Sequence, residues 1–395
     1  MSLKSPEDTA AQREKLLEQL PDPFTKSRQF TGHGGRKSDV REMKDQFSGF
    51  GSIDWQATYG HEEAKGRSYA EAGGYKWQQE LLPDIIQHTW DSDNPKFHDG
   101  GTDWLAIGEP GSGKSNTALW LAARLMEAND EAIIWRGSPS RSEWLPFHRY
   151  ARICLPEGLD VTAKFVPKKP SDETVRVPLE DVVREVVRYE NPVQLNEELI
   201  EPGMFHVVYP DPEMRGVQDI YENAEEKQYD EVEFTAEDPL SHWWFGWLLA
   251  RVEEGPYNWM SVILDEIGDV APEAARADEF AHYQKIEMFR DALVDARKTG
   301  LSIFMFGHSE KDIHSMIRRK IRWRISMAPG ANPTSKGDVV GFSDVPMDRN
   351  ITSGRQVGQF LPWNESAFQY PLPNIPYFPS PIDHSLKVEY GGESV

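Results

Sequence analysis

The most constraining stretch of this chain is Gly108-Glu109-Pro110-Gly111-Ser112-Gly113-Lys114-Ser115. It satisfies G-x-x-x-x-G-K-[ST] at every position, and its surroundings fit: the apolar run WLAIG (104–108) leads in and the helical pattern NTALWLAARLME follows. Glycines let backbone N–H groups turn inward around a phosphate, and a helix N-terminus adds partial positive charge. Lys114 is positioned by this pattern to reach β- and γ-phosphates, and the Ser115 hydroxyl to bind Mg²⁺. Gly108 through Asn116 are therefore the expected nucleotide-binding residues.

A second motif supplies the other half of such a site. Trp259-Met260-Ser261-Val262-Ile263-Leu264-Asp265-Glu266 reads as a buried strand that delivers two carboxylates to its C-terminal end. Asp265 is expected to hold the Mg²⁺ shell. Glu266 is expected to polarise an attacking water, the step that separates hydrolysis from mere binding. Together the motifs point to ATP and Mg²⁺ as ligands and to ATP hydrolysis as the chemistry.

From Trp104 onward, short apolar runs alternate with amphipathic stretches. Expected strands are 104–108, 132–136, 204–209, 261–265, 301–307 and 323–327. Expected helices are 114–127, 241–253 and 279–298, with a basic helix at 311–320. Buried strands separated by helices predict a mostly parallel sheet covered on both faces, an α/β fold. The organisation read from this is an N-terminal extension (1–100), a RecA-like ATPase domain (101–345) carrying an insertion at about 156–240, and a Pro- and aromatic-rich C-terminal tail (346–395). Helices are expected over Glu7–Leu20, with Leu16, Leu17 and Leu20 on one side, and over Tyr75–His88; 31–52 reads as loop. In the tail, prolines argue against a regular element while aromatics favour burial, so an extended segment across its own domain or a neighbour is expected.

Charge narrows the function. Lys and Arg number 43 against 65 Asp and Glu, a formal net charge of −22. That excludes a surface built throughout to coat nucleic acid, which needs a positive field. The carboxylate excess fits a halophilic source as well as an ordinary acidic surface, and the sequence leaves both open. Eleven of the carboxylates fall within 211–238. Against this background Lys311, Arg318, Arg319, Lys320, Arg322 and Arg324 put six cations into fourteen residues. They read either as lining a subunit interface or channel, or as pairing with the acidic insertion. A looser cluster, Arg136, Arg141, Arg149 and Arg152, follows the 132–136 strand. One cysteine, Cys154, rules out an internal disulfide and a Cys-rich zinc site. No apolar run approaches the roughly 18 residues of a membrane span, and no secretory leader is visible, so a cytoplasmic or virion-associated protein is expected.

The stretch VILDEIGDV (262–270), DARKTGLSIFMFGHSEKDIHSMI (295–317) and RRKIRWRISM (318–327) resembles the FtsK/HerA superfamily of ring-forming DNA-pumping ATPases. The resemblance covers the phosphate loop and this stretch, under a third of the chain. It implies an ATP-driven motor for double-stranded DNA, working as a homo-oligomeric ring, a hexamer, with capsid or membrane-vertex proteins as partners if it is a viral genome-packaging ATPase. Alternatives are a cellular HerA-like or conjugative translocase, and a nucleotide-gated assembly factor that pumps nothing. Arg297 matches the arginine that reaches the γ-phosphate of a neighbouring subunit, or else is a helix-terminal Arg stabilised by the dipole. His308 stands where the family usually has a Gln sensor, which leaves it either a phosphate or water contact or a structural histidine.

Overall fold

The computed structural model describes residues 6–20, 89–90, 98–99, 101–129, 131–169, 173–224, 232–256, 258–275, 279–330, 356–364 and 377–391. The expected helix at Tyr75–His88 and loop at 31–52 lie outside these residues. The strands of interest, in chain order, are β1 (Asp103–Ile107), β2 (Ala132–Arg136), β3 (Ala151–Pro156), β4 (Val161–Pro167), β5 (Val175–Val177), β6 (Glu185–Tyr189), β7 (Phe205–Val208), β8 (Met260–Leu264), β9 (Leu301–Gly307), β10 (Trp323–Met327), β11 (Phe360–Trp363) and β12 (His384–Tyr390). The helices of interest among the described residues are α1 (Pro6–Leu17), α2 (Lys114–Asn129), α3 (Val217–Asn223), α4 (Trp243–Glu253), α5 (His282–Ala296) and the single turn α6 (Ser315–Arg318).

Nine strands form one sheet in the order β11-β10-β1-β9-β8-β2-β7-β3-β6. Every neighbouring pair is parallel except β10 with β11 at the edge. The strand leading into the phosphate loop (β1) and the strand leading into Asp265 (β8) are separated by β9, the strand order of a RecA-like P-loop core. Side chains alternate between two buried faces, as the period of a strand requires. Trp104 and Ala106 of β1, Ile133 and Trp135 of β2, and Phe304 and Phe306 of β9 enter one apolar cluster, together with α2. Leu105, Ala132, Ile134, Ile303 and Met305 enter the other, with α4 and α5. A parallel sheet wrapped in this way reads as continuous apolar runs, which is why these strands stand out in the sequence.

Helix α4 is apolar almost all round, and nearly all of it is buried, as such a helix must be. It touches both α3 and α5. Gly246 permits the approach: a Cβ there would lie 2.2 Å from Val217 Cγ1.

Three regions depart from the sequence expectation. The 156–240 stretch is not set apart from the core, because β6 and β7 extend the main sheet. It also carries β4 and β5, which with β12 make a separate three-stranded sheet. Leu16 and Leu20 are buried and join the same cluster as that small sheet, with Leu17 partly buried against it.

The basic helix at 311–320 is broken. Ile313 is buried and forms a bridge with Pro272, and the His314 N–H donates to Ala271 O at 2.8 Å, so the backbone there pairs sideways rather than along a helix axis. A 3-10 turn (Glu310–Asp312) and α6 flank the break.

The C-terminal region does form regular elements: Pro362 sits in β11, opposite Ile325 of β10. This is an edge strand, where proline's missing donor is tolerated.

Candidate active site

The site is built at the C-terminal ends of β1, β9 and β8, where ligands of open α/β sheets bind. After Ile107 the chain turns through Gly108–Gly113, with Gly111 and Gly113 at φ +81° and +95°, and α2 begins at Lys114. Such backbone angles are accessible to glycine and strained for other residues. Among the described residues the buried Ser112 hydroxyl has no hydrogen-bond partner. That orphaned polar atom and the loop geometry fit a phosphate chain.

Lys114 Nζ donates to Gly108 O at 2.7 Å, to Glu109 O at 3.2 Å and to His308 Nδ1 at 3.0 Å. Burial pushes its ammonium below the usual lysine range, with nearby Asp265 opposing. Because Nδ1 accepts, His308 is assigned as the Nε2–H tautomer, and Nε2 lies 2.9 Å from Glu266 Oε1. Lys114, His308 and Glu266 thus form a chain of direct contacts from the ends of three strands.

Glu266 has a positive φ of 52° with ψ 64°, a left-handed conformation that is costly for a side chain of this size. The turn aims its carboxylate back toward His308 and toward Arg141, whose Nη1 lies 3.4 Å away. Asp265, the preceding residue, is buried. Its carboxyl is pushed above the usual range by desolvation, with Arg141, Arg136 and Lys114 pulling the other way. The Ser115 hydroxyl and the Asp265 carboxyl, which line one cleft, are oxygen ligands of the kind a hard cation such as Mg²⁺ takes together with phosphate and water. Among the described residues no group of three or more His, Cys, Asp or Glu is placed to hold a metal. Magnesium beside a nucleotide does not need one.

A cleft of about 540 Å³ joins these parts. Pro110, Gly111, Gly113, Lys114, Ser115 and Asn116 line it from the loop and α2; Asp265, Glu266 and His308 line it from the neighbouring strands. Gly108 and Glu109 contribute carbonyls to Lys114, and Ser112 is a buried member of the loop that does not line the cleft. Arg297 is not brought here. It is exposed at the opposite end of β9, about 20 Å away along a seven-residue strand, and among the described residues its side chain has no ion-pair partner.

Sequence reasoning missed several lining residues. Glu143 faces the cleft, and its carboxyl is raised by burial and by Asp265. Arg136 Nη1 donates to the Asp265 carbonyl at 2.5 Å, and its Nη2 lies 3.5 Å from Asp269. Arg136 ends the strand beside β8, so strand order alone would have placed it at the site. Val357, Gly358 and Tyr377 also line the cleft, brought from the far end of the chain.

The basic run resolves into two groups. Arg324 Nε donates to Glu310 Oε1 at 3.0 Å, Arg318 Nη1 to Glu310 O at 3.0 Å, and Arg322 Nε to Asp103 Oδ2 at 2.9 Å. Arg318 and Arg324 are buried, so neither lines a channel, and among the described residues their carboxylate partners are Glu273 and Glu310, outside the acidic insertion. Lys311, Arg319 and Lys320 are exposed. No helix among the described residues is long and apolar enough to cross a membrane.

No protein family and no curated protein matches this chain. Solved structures do share a loose likeness. The genome packaging NTPase B204 from Sulfolobus turreted icosahedral virus 2, in complex with ATP-gammaS, is 11% identical with a TM-score of 0.36, over 70% of this chain and 98% of that one. The N-terminal domain of zonular occludens toxin from Neisseria meningitidis is 16% identical with a TM-score of 0.25, over 68% and 86%.

Proposed function

We propose that this chain hydrolyses ATP and uses the energy to move double-stranded DNA through a ring of its own copies, as a viral genome-packaging motor does. The hydrolase part rests on one observation, the contact chain Lys114–His308–Glu266 beside Asp265 at the mouth of a phosphate loop. Lys114 and the loop amides bind the phosphates. Mg²⁺, held by Ser115 and Asp265, would neutralise charge on the phosphoryl oxygens. Glu266 orients the attacking water and takes its proton, while His308 holds the carboxylate in the left-handed turn.

The DNA part rests on the resemblance of 262–327 and on two exposed features: Arg297 at the far end of β9, and the cations Lys311, Arg319 and Lys320. Arg297 is too far from the Lys114 cleft of its own chain to act there, so in this reading it completes a neighbour's site. A motor that must pass every sequence needs phosphate contacts and no base readout.

The test is hydrolysis by the purified chain with and without duplex DNA. Duplex is expected to stimulate turnover, Glu266→Gln to bind ATP without hydrolysing it, and Lys114→Ala to lose both. Absence of DNA binding and of stimulation would count against the motor. A second reading, a nucleotide-gated assembly factor, draws on the burial of Arg318 and Arg324, which leaves fewer cations for DNA. It expects Glu266→Gln to stay active in its ATP-bound state.

A further inference from the structure

Among the described residues the exposed large apolar side chains are Tyr283, Val294, Val357 and Tyr377, at 37%, 49%, 58% and 71%. The two most exposed both line the phosphate-loop cleft, although twenty positions separate them in the chain. Solvent-exposed apolar groups gathered at a cleft mark a surface that something covers.

Each is held in place through its neighbour. The Gly358 N–H donates to Ser112 O at 3.2 Å, and a Cβ on Gly113 would lie 3.2 Å from Gly358 Cα, so Val357 is tied directly against the phosphate loop. The Phe378 N–H donates to Asn116 Oδ1 at 2.7 Å. The Phe378 ring is buried and meets Phe147 edge-on at 5.2 Å. Tyr377 is therefore fixed by a core anchor while its own ring remains available at the rim. It also borders an adjoining cleft of about 300 Å³ that shares Ser115, Asn116 and Glu143 with the first.

We propose that Val357 and Tyr377 grip the base of the nucleotide, Tyr377 by stacking. This rests on the hydrolase reading above. Lys114, His308 and Glu266 mark the terminal-phosphate end, and Asn116, two residues into α2, lies on the way out from it. A base leaving the phosphate chain past Asn116 meets Tyr377 next. Because every base presents a π-face, stacking of this kind holds the nucleotide with little discrimination between ATP and GTP.

The test is calorimetric titration of the full chain in Mg²⁺ with ATP, GTP and inorganic tripolyphosphate, which has no base. Tyr377→Ala is expected to weaken ATP and GTP by about tenfold or more and leave tripolyphosphate unchanged, while Tyr377→Phe binds as the parent. The high exposure of Tyr377 keeps folding out of the comparison. An unchanged ATP affinity in Tyr377→Ala overturns the proposal, as does an equal loss for ATP and tripolyphosphate. A change of oligomeric state at constant ATP affinity would mark Tyr377 as a subunit contact and overturn it too. If the parent chain binds neither ATP nor tripolyphosphate, the hydrolase reading fails and this one with it. If it binds both and only the base effect is missing, this one fails alone.

Discussion

The imidazole of His308 donates through Nε2 to the Glu266 carboxylate at 2.9 Å, while its Nδ1 accepts from Lys114. One ring therefore touches both the phosphate-loop lysine and the residue proposed to orient water. A glutamine could make the same two contacts with one amide, accepting through its oxygen and donating through its nitrogen. His308→Gln is expected to keep hydrolysis within about tenfold of the parent, and His308→Ala to lose about a hundredfold in kcat, read by single-turnover hydrolysis. Equal rates for Ala and Gln would remove His308 from this role.

Arg297 lies at the other end of the strand that carries His308, so any part it plays in hydrolysis is played on a neighbour. Mixing Arg297→Ala chains with Lys114→Ala chains is expected to restore hydrolysis, since some interfaces then pair an intact cleft with an intact arginine. Recovery should peak at an intermediate ratio. No recovery at any ratio would rule out a shared arginine.

His206 is a structural histidine with a measurable cost in acid. It is fully buried, donates from Nδ1 to Ile133 O at 3.0 Å and accepts the Glu201 N–H at Nε2 at 3.1 Å, so both nitrogens are used in the neutral form. Burial, helped by nearby Arg152, lowers its pKa to about 3. The unfolded chain takes up this proton near pH 6.5 and the folded chain does not. The folded state therefore keeps its full stability above that pH and loses it as the pH falls toward 3. About 2 kcal/mol should be gone by pH 5 from this group alone. His206→Gln should flatten that part of the pH dependence, measured as urea midpoints at pH 7.5 and 5.

The two halves of the basic run should respond differently to substitution. Glu310→Ala removes the carboxylate partner of buried Arg324 and is expected to cost about 3 kcal/mol in chemical denaturation. Lys311→Ala and Lys320→Ala should leave stability within about 0.5 kcal/mol. In the motor reading, each should lower the salt dependence of duplex binding by about one unit of slope. Fluorescence anisotropy across a salt series reads this directly.

Much of the candidate site was legible because it is local. The phosphate loop, VILDE and LSIFMFG each carry their signal within eight residues, and β2, β9 and β10 fall on the residues expected of them. What was not legible depends on distance or on a partner. Strand β6 reads EVVRY, and its outer position at the sheet edge tolerates charges that an apolar-run search passes over. Glu143 and Arg136 become site residues only through the order of strands. For the basic run, the decisive carboxylate was Glu310, one position before the run begins. Charge density alone does not show which cations are buried. Tyr377 and Val357 reach the phosphate loop across more than 240 residues of chain, with no local pattern that could announce the contact.

The return of 356–364 and 377–391 to the sheet edge and cleft rim has a consequence in time. A ribosome makes Lys114 first and Tyr377 263 residues later. At bacterial-to-eukaryotic elongation speeds that is a delay of roughly 13 to 50 s. During that interval the emerging chain carries a phosphate loop without its rim; β10, made late in it, waits only until Phe360–Trp363 follows to cover its outer edge. The nascent protein must keep that briefly unpaired strand from finding another chain, and its cleft reaches its final shape only after Tyr377 has been made.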